Sequence, residues 1–253
     1  MISLTLPIKS FYIATFFYLA SFIFYILYKK RLALSFLGLG LFINILSETI
    51  GRLFMWPYCN MFAEPFFLPL CFSALSFILI SLKKEKEGLL IIPLVVIFSL
   101  IPVFCSEGYF SPFFINSKSI SSHLFHLFNF IAHACFLSGA YLAIFIILGK
   151  LKEGTAHHLA IWGFAFYSLA GFFGMLWNYL GYADTISWDH YYFHSVAIWF
   201  YYSGFLHLYL LRIWGPKKRA WFLFGGFLLI FYFDYLPQIG AINLPRFLNA
   251  NLY

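Results

Sequence analysis

Charge is what this chain has least of. Only 10% of its 253 residues are Asp, Glu, Lys or Arg, against about a quarter in soluble domains. Acidic residues are scarcest, nine against sixteen Lys and Arg. So little charge excludes an ordinary water-soluble globular domain. Cysteine is sparse as well: the four residues Cys59, Cys71, Cys105 and Cys135 form no CxxC pair, which excludes zinc ribbons and thioredoxin-like redox motifs. There is no CxxCH, so the chain is not itself a c-type cytochrome. It also lacks GxGxxG, a P-loop and HExxH, which removes the common nucleotide-binding and metalloprotease readings.

What the chain has instead is apolar bulk. It is 63% hydrophobic and 24% aromatic, and its mean hydropathy is +0.87. A hydrocarbon core of ~30 Å takes about 20 apolar residues per helix. Backbone groups cannot go unpaired in lipid, so the choice lies between helices and a closed barrel. Long unbroken apolar runs exclude the alternating strands of a barrel. The expected class is therefore all-α, a polytopic transmembrane helix bundle in one domain over residues 1–253.

Eight spans are predicted: Ser10 to Tyr28, Leu32 to Gly51, Phe62 to Leu82, Gly88 to Phe104, Ser122 to Gly149, Leu159 to Leu180, Tyr191 to Leu211, and Ala220 to about Ile239. The first reads as a span rather than a cleavable signal peptide, because Lys29, Lys30 and Arg31 follow it instead of preceding it. Twelve of the sixteen basic residues fall in alternate connections: Lys29, Lys30, Arg31, then Lys83, Lys84, Lys86, then Lys150, Lys152, and last Arg212, Lys217, Lys218, Arg219. The positive-inside rule puts these connections in the cytoplasm and both termini outside. The formal charge of +7 is thus a topology signal for contact with lipid, and nucleic acid is not an expected partner. The expected location is the cell inner (cytoplasmic) membrane.

Ionisable groups at membrane depth are costly and tend to face a cavity or pathway. The fifth span carries His126, Asn129 and His133 at i, i+3 and i+7, on one helix face. Such histidines serve either as ligands or as hydrogen-bonding glue between helices. His123 reads as interfacial, and His157 and His158 as surface residues on the basic side. His207 lies deep on the seventh span, too far from His126 for both to hold one metal ion. Between the sixth and seventh spans, Trp177, Tyr179, Tyr182 and Trp188 crowd towards Asp184 and Asp189. An interfacial aromatic belt would use the same residue types. A platform for a flat, hydrophobic, anionic ligand is the sharper reading, since Trp and Tyr offer a large apolar face with a polar edge. Arg52 and Glu64 lie on the same side and could pair. Asn44, Glu48 and Asp234 are intramembrane polar groups to which the sequence assigns no role. Cys59 and Cys105 fall outside, where a disulfide is permitted. Cys71 and Cys135 read as packing residues.

The stretch Gly174 to His207 resembles the cytochrome c assembly family, the tryptophan-rich (WWD) haem-handling membrane proteins. The nearest branch is the CcsA/ResC-like one of the System II haem lyase. Gly174 and Trp177 match the start of that family's segment, Trp188 and Asp189 its WD, and Trp199, Tyr202, Leu206 and His207 its W-x-x-Y-x-x-YLH end. The intervals from Trp177 to Asp189 and from Asp189 to Trp199 and His207 match without a gap. Gly163 and Phe164 stand at a family GF pair. Arg52, Pro57, Asn60 and Glu64, the segment from Ser121 to His126, and Gly215 with Lys218 and Arg219 extend the likeness over nearly the whole chain.

The resemblance implies haem b as ligand or cargo. His126 would be an outer iron ligand and His207 an inner one, with Trp177, Trp188, Asp189 and Trp199 lining the haem platform. Apocytochrome c and a System II partner membrane subunit are the implied partners, and a subunit of a holocytochrome c synthase is the implied activity. There are departures. Tyr182, Ala183 and Ile186 stand where the family has Trp, Gly and Trp, and His190, Tyr191 and Tyr192 replace PKE. His194 replaces a Trp. The second span has no histidine at Asn44 and Ile45, and the C-terminal segment reads LNANLY. His133, His190 and His194 are the histidines left to complete a ligand set, and a single-histidine haem is chemically ordinary. A haem-binding or regulatory scaffold of tetrapyrrole metabolism is the alternative. A small-molecule permease has only the number of spans behind it.

Overall fold

The computed structural model describes residues 5–55, 64–104, 119–186, 190–211 and 213–235. Trp188, Asp189, Cys59 and Cys105 lie outside the described residues, as do the side chains of Arg52, Glu64, Tyr182, His190, Tyr191 and Tyr192. Among the described residues there is no strand. The helices are α1 (Thr5–Ile26), α2 (Lys30–Met55), α3 (Glu64–Ser81), α4 (Glu85–Leu90), α5 (Ile92–Phe104), α6 (Ile120–Ile147), α7 (Gly154–Tyr182), α8 (His190–His207) and α9 (Pro216–Ile230). A 3-10 turn, Leu208–Leu210, follows α8, and a wide π turn, Phe231–Tyr235, follows α9. Among the described residues five segments are long and apolar enough to cross a membrane: Leu6–Ile26, Lys30–Gly51, Glu85–Phe104, Ile120–Ile147 and Gly154–Gly181. Phe66–Ser81 is apolar but shorter.

Sequence punctuation explains the ends and breaks. Pro93 lacks an N–H and crowds the carbonyl four residues back, so the apolar run from Glu85 to Phe104 divides at Ile91 into α4 and α5. Ser119 caps α6 by accepting a bond from the Ser122 N–H at 3.1 Å. Gly149, at φ +71°, lets the chain leave α6 in the left-handed region.

Neighbouring helices run antiparallel. Ser21 Oγ near the end of α1 donates to the Ala33 carbonyl at the start of α2 at 2.8 Å. Ser47 Oγ late in α2 donates to the Pro7 carbonyl early in α1 at 2.7 Å. Lipid tails are as apolar as leucine, so helices in a membrane associate by close packing and interhelical hydrogen bonds. Asn44 does this for the first three helices. Its Nδ2 donates to Tyr18 Oη at 3.3 Å and to the Phe66 carbonyl at 3.2 Å, and Tyr18 Oη pairs with Ser73 Oγ at 3.3 Å.

Helix α6 is the axis of the second half, packed by α3, α7 and α9. Residues 132–140 are all buried. Gly163 of α7 admits Phe136 of α6; a Cβ there would stand 2.5 Å from the ring. Phe136 in turn stacks on Tyr202 of α8 with ring centroids 3.5 Å apart. Cys71 and Cys135 are buried free thiols.

The four basic connections gather at one end of the bundle through a chain of polar contacts. Lys30 pairs with Glu85. Lys86 Nζ donates to the Lys150 carbonyl at 3.1 Å, and Thr155 Oγ1 to Glu87 Oε1 at 3.3 Å. Arg219 grips Glu153 with Nε to Oε1 at 2.7 Å and Nη2 to Oε2 at 2.8 Å, while Tyr209 Oη donates to Glu153 Oε1 at 2.5 Å.

Candidate functional site

The first histidine of interest sits at the end of the bundle opposite these basic connections. The antiparallel pairing of α6 and α7 brings the first turns of α6 against the last turns of α7. Gly174 permits the contact: a Cβ there would stand 3.0 Å from the Phe125 ring. One turn further on, Trp177 meets both Phe125 and His126, with ring centroids 6.0 and 6.1 Å away. Phe130 stacks under His126 at 6.0 Å. His126 is half-buried, and its imidazole stands among aromatic rings. Nothing with a formal charge lies on α6 or α7. The surroundings of the imidazole are thus aromatic and without formal charge on either helix.

Helix α7 then stops. Ala183 adopts the left-handed conformation at φ 56° and its N–H bonds the Tyr179 carbonyl. Asp184 Oδ1 accepts the Ile186 N–H at 3.2 Å, an Asx turn just past the end of α7. Trp188 and Asp189 belong to the next, undescribed residues.

The remaining candidates are spread along the bundle axis. Trp199 of α8 donates from Nε1 to Ser168 Oγ of α7 at 3.0 Å, and its ring meets Phe164 at 5.2 Å. His207 ends α8 and is exposed. A carbonyl only accepts, so His207 Nδ1 donates to the Ser203 carbonyl at 2.7 Å, and this leaves the Nε2 lone pair for a ligand. Counting 1.5 Å per residue along α7 and α8, His207 lies about 25 Å from the level of Trp177 and His126. The structure thus joins His126 to Trp177 and keeps His207 apart from both. His133 and His194 lie between. His133 is 1% exposed; it stacks on Tyr167 at 5.9 Å and its Nε2 is 3.3 Å from Asp234 Oδ2. His194 stacks on Phe233 at 4.3 Å. Among the described residues no three His, Cys, Asp or Glu side chains gather into a metal-holding group.

At the basic end the Glu153 carboxyl is pulled two ways. Burial raises it, but the hydrogen bonds from Arg219 and Tyr209 outweigh burial and hold it below the usual carboxylate range. Arg219 also lies over the Tyr209 ring at 4.2 Å, a cation–π contact. Sequence reasoning missed this cluster. Its signal was Glu153 itself, one acid between the basic connections. The partnership of His133 with Asp234 was missed as well.

Comparison with family models, with curated proteins and with solved structures returned no match.

Proposed function

We propose that this chain is a haem-handling membrane protein of c-type cytochrome biogenesis, of the System II kind. The observation that carries the reading is the contact of His126 with Trp177 at the end of the bundle away from the basic connections. Those two residues belong to separate stretches of the family resemblance. In this reading the chain crosses the cytoplasmic membrane eight times with both termini outside, and the His126 end faces the periplasm or exterior.

Haem b is the cargo. Its iron takes an imidazole and its faces take aromatic rings. His126 supplies the first, and Trp177 with Phe125 the second. Trp188 and Asp189 complete the platform, Trp199 lies deeper along the path, level with Ser168, and His207 offers a second, inner ligand. His194 and His133 line the space between. The chain's own work is to bind, orient and exclude water, while the thioether chemistry belongs to haem and to the CxxCH thiols of an apocytochrome. A partner membrane subunit completes the holocytochrome c synthase.

The test is attachment. The chain is co-expressed with its partner subunit and a CxxCH apocytochrome, and covalent haem on the apocytochrome is measured. Covalent haem that depends on the chain and is lost in His126→Ala supports the reading. Covalent haem formed equally without the chain refutes it.

One observation favours a second reading. Asn44 stands where the second span would carry a histidine ligand, and it is committed to Tyr18 and Phe66. A chain with one histidine per site suits a scaffold that holds haem in tetrapyrrole metabolism. Haem retained by the chain with no attachment to any apocytochrome is the result that selects it.

A further inference from the structure

We propose that the basic end of the bundle carries a binding site for one anionic phospholipid, built where the α6–α7 and α8–α9 connections meet. The inference rests on the chain being a membrane protein and is independent of the haem reading.

The two-point bond of Arg219 to Glu153 clamps the start of α9 against the start of α7. It draws the lysines next to it into one patch: Lys150 and Lys152 just before α7, and Lys217 and Lys218 in the first turn of α9. All four are exposed. Among the described residues none of them makes an ion pair. Glu153 is the only acid in the two connections, and Arg219 and Tyr209 occupy its carboxylate oxygens. The four ammonium groups therefore have no internal anion, and their summed field favours an external one.

A soluble anion would need the lysines alone. The apolar surface beside them points to a lipid. In the α8–α9 connection Leu210 is 78% exposed and Ile213 82%. In water two such side chains would stand unburied; at headgroup level they lie against the acyl boundary. Helix α9 continues the surface inward. Lys217, Trp221, Phe224 and Leu228 are four, three and four residues apart and share one face. Trp221 and Leu228 are exposed, and Phe224 meets the Trp221 ring edge-on at 6.1 Å. From the end of the helix inward that face offers ammonium, indole, then apolar side chains. A phospholipid presents its phosphate, its ester region and its acyl chains in the same order. A zwitterionic headgroup carries no net charge to answer the patch, so the site takes an anionic one.

The test uses the full-length protein in detergent micelles and native mass spectrometry to titrate phosphatidylglycerol against phosphatidylcholine. The expected result is one phosphatidylglycerol held more tightly than phosphatidylcholine. Lys152→Gln with Lys217→Gln, one change in each connection, should weaken it by about 25-fold, roughly fivefold per lysine. Lys29→Gln with Lys84→Gln removes the same charge from the other two basic connections and should leave this binding unchanged. All four lysines are exposed, so folding is not at stake. Trp221→Ala should weaken the intact lipid and not its deacylated headgroup, glycerophosphoglycerol. Equal binding of the two phospholipids, equal losses in the two double variants, or a deacylated headgroup that binds as tightly as the lipid would each overturn the proposal.

Discussion

Arg219 holds Glu153 through both carboxylate oxygens, at 2.7 and 2.8 Å, and so ties the start of α9 to the start of α7. Planar two-point pairing of this kind is specific to arginine. Arg219→Lys is expected to lose one of the two bonds and Arg219→Ala both. The second change should cost about 2 kcal/mol, as for hydrogen bonds to charged groups. Thermal unfolding in detergent or nanodiscs measures it, with Lys218→Ala, which is exposed, as the unaffected control.

The same pair gives a pH dependence. Glu153 titrates below the ordinary carboxylate range in the folded chain. Its stabilisation is therefore fully present above the unfolded-chain value and is lost as pH falls through the folded one. As pH falls below the ordinary carboxylate range, wild-type stability should drop more than that of Glu153→Gln. Parallel acid profiles for the two proteins would contradict this.

Asn44 joins α1, α2 and α3 by two donated bonds. Hydrogen bonds between membrane helices average about 0.6 kcal/mol in measured cycles. Asn44→Ala should therefore cost about 1 kcal/mol and leave haem content unchanged. Unfolding midpoints and a haem assay on the same preparation check both halves.

Gly163 packs its bare Cα against Phe136, and the ring has Tyr202 stacked on it. Gly163→Leu should force the ring off its partner and cost about 1–3 kcal/mol, as overpacking does. Gly171 has open space at its Cβ and serves as the control. Equal losses at the two positions would contradict the packing described.

The helices were legible because apolar run length and basic clusters report directly on burial in lipid. The sequence did not state that His126 meets Trp177; the contact follows from two helices joined by a short connection pairing end to end. Three further things were not legible. Asp234 meets His133 only because α9 packs on α6 across a long stretch of chain, and the π turn sets its angle outside the 3.6-residue pattern. Asn44 looked like a polar intruder, since its partners are a hydroxyl and a carbonyl on two other helices. Glu153 was one acid among basic residues, and only the folded connections show which of them it meets. The break at Ile91 was written in Pro93 but is invisible to a count of apolar residues.

The most direct measurement is the absorption spectrum of the purified full-length protein, oxidised and reduced, with a haem assay per chain. It is taken on wild type, His126→Ala and His207→Ala. The expected result is a Soret band in the wild type that is lost or shifted in His126→Ala. His207→Ala reads the inner position separately. Full and unchanged haem in both variants, or no haem in the wild type even when its partner subunit is co-expressed, would contradict haem binding at His126 and Trp177.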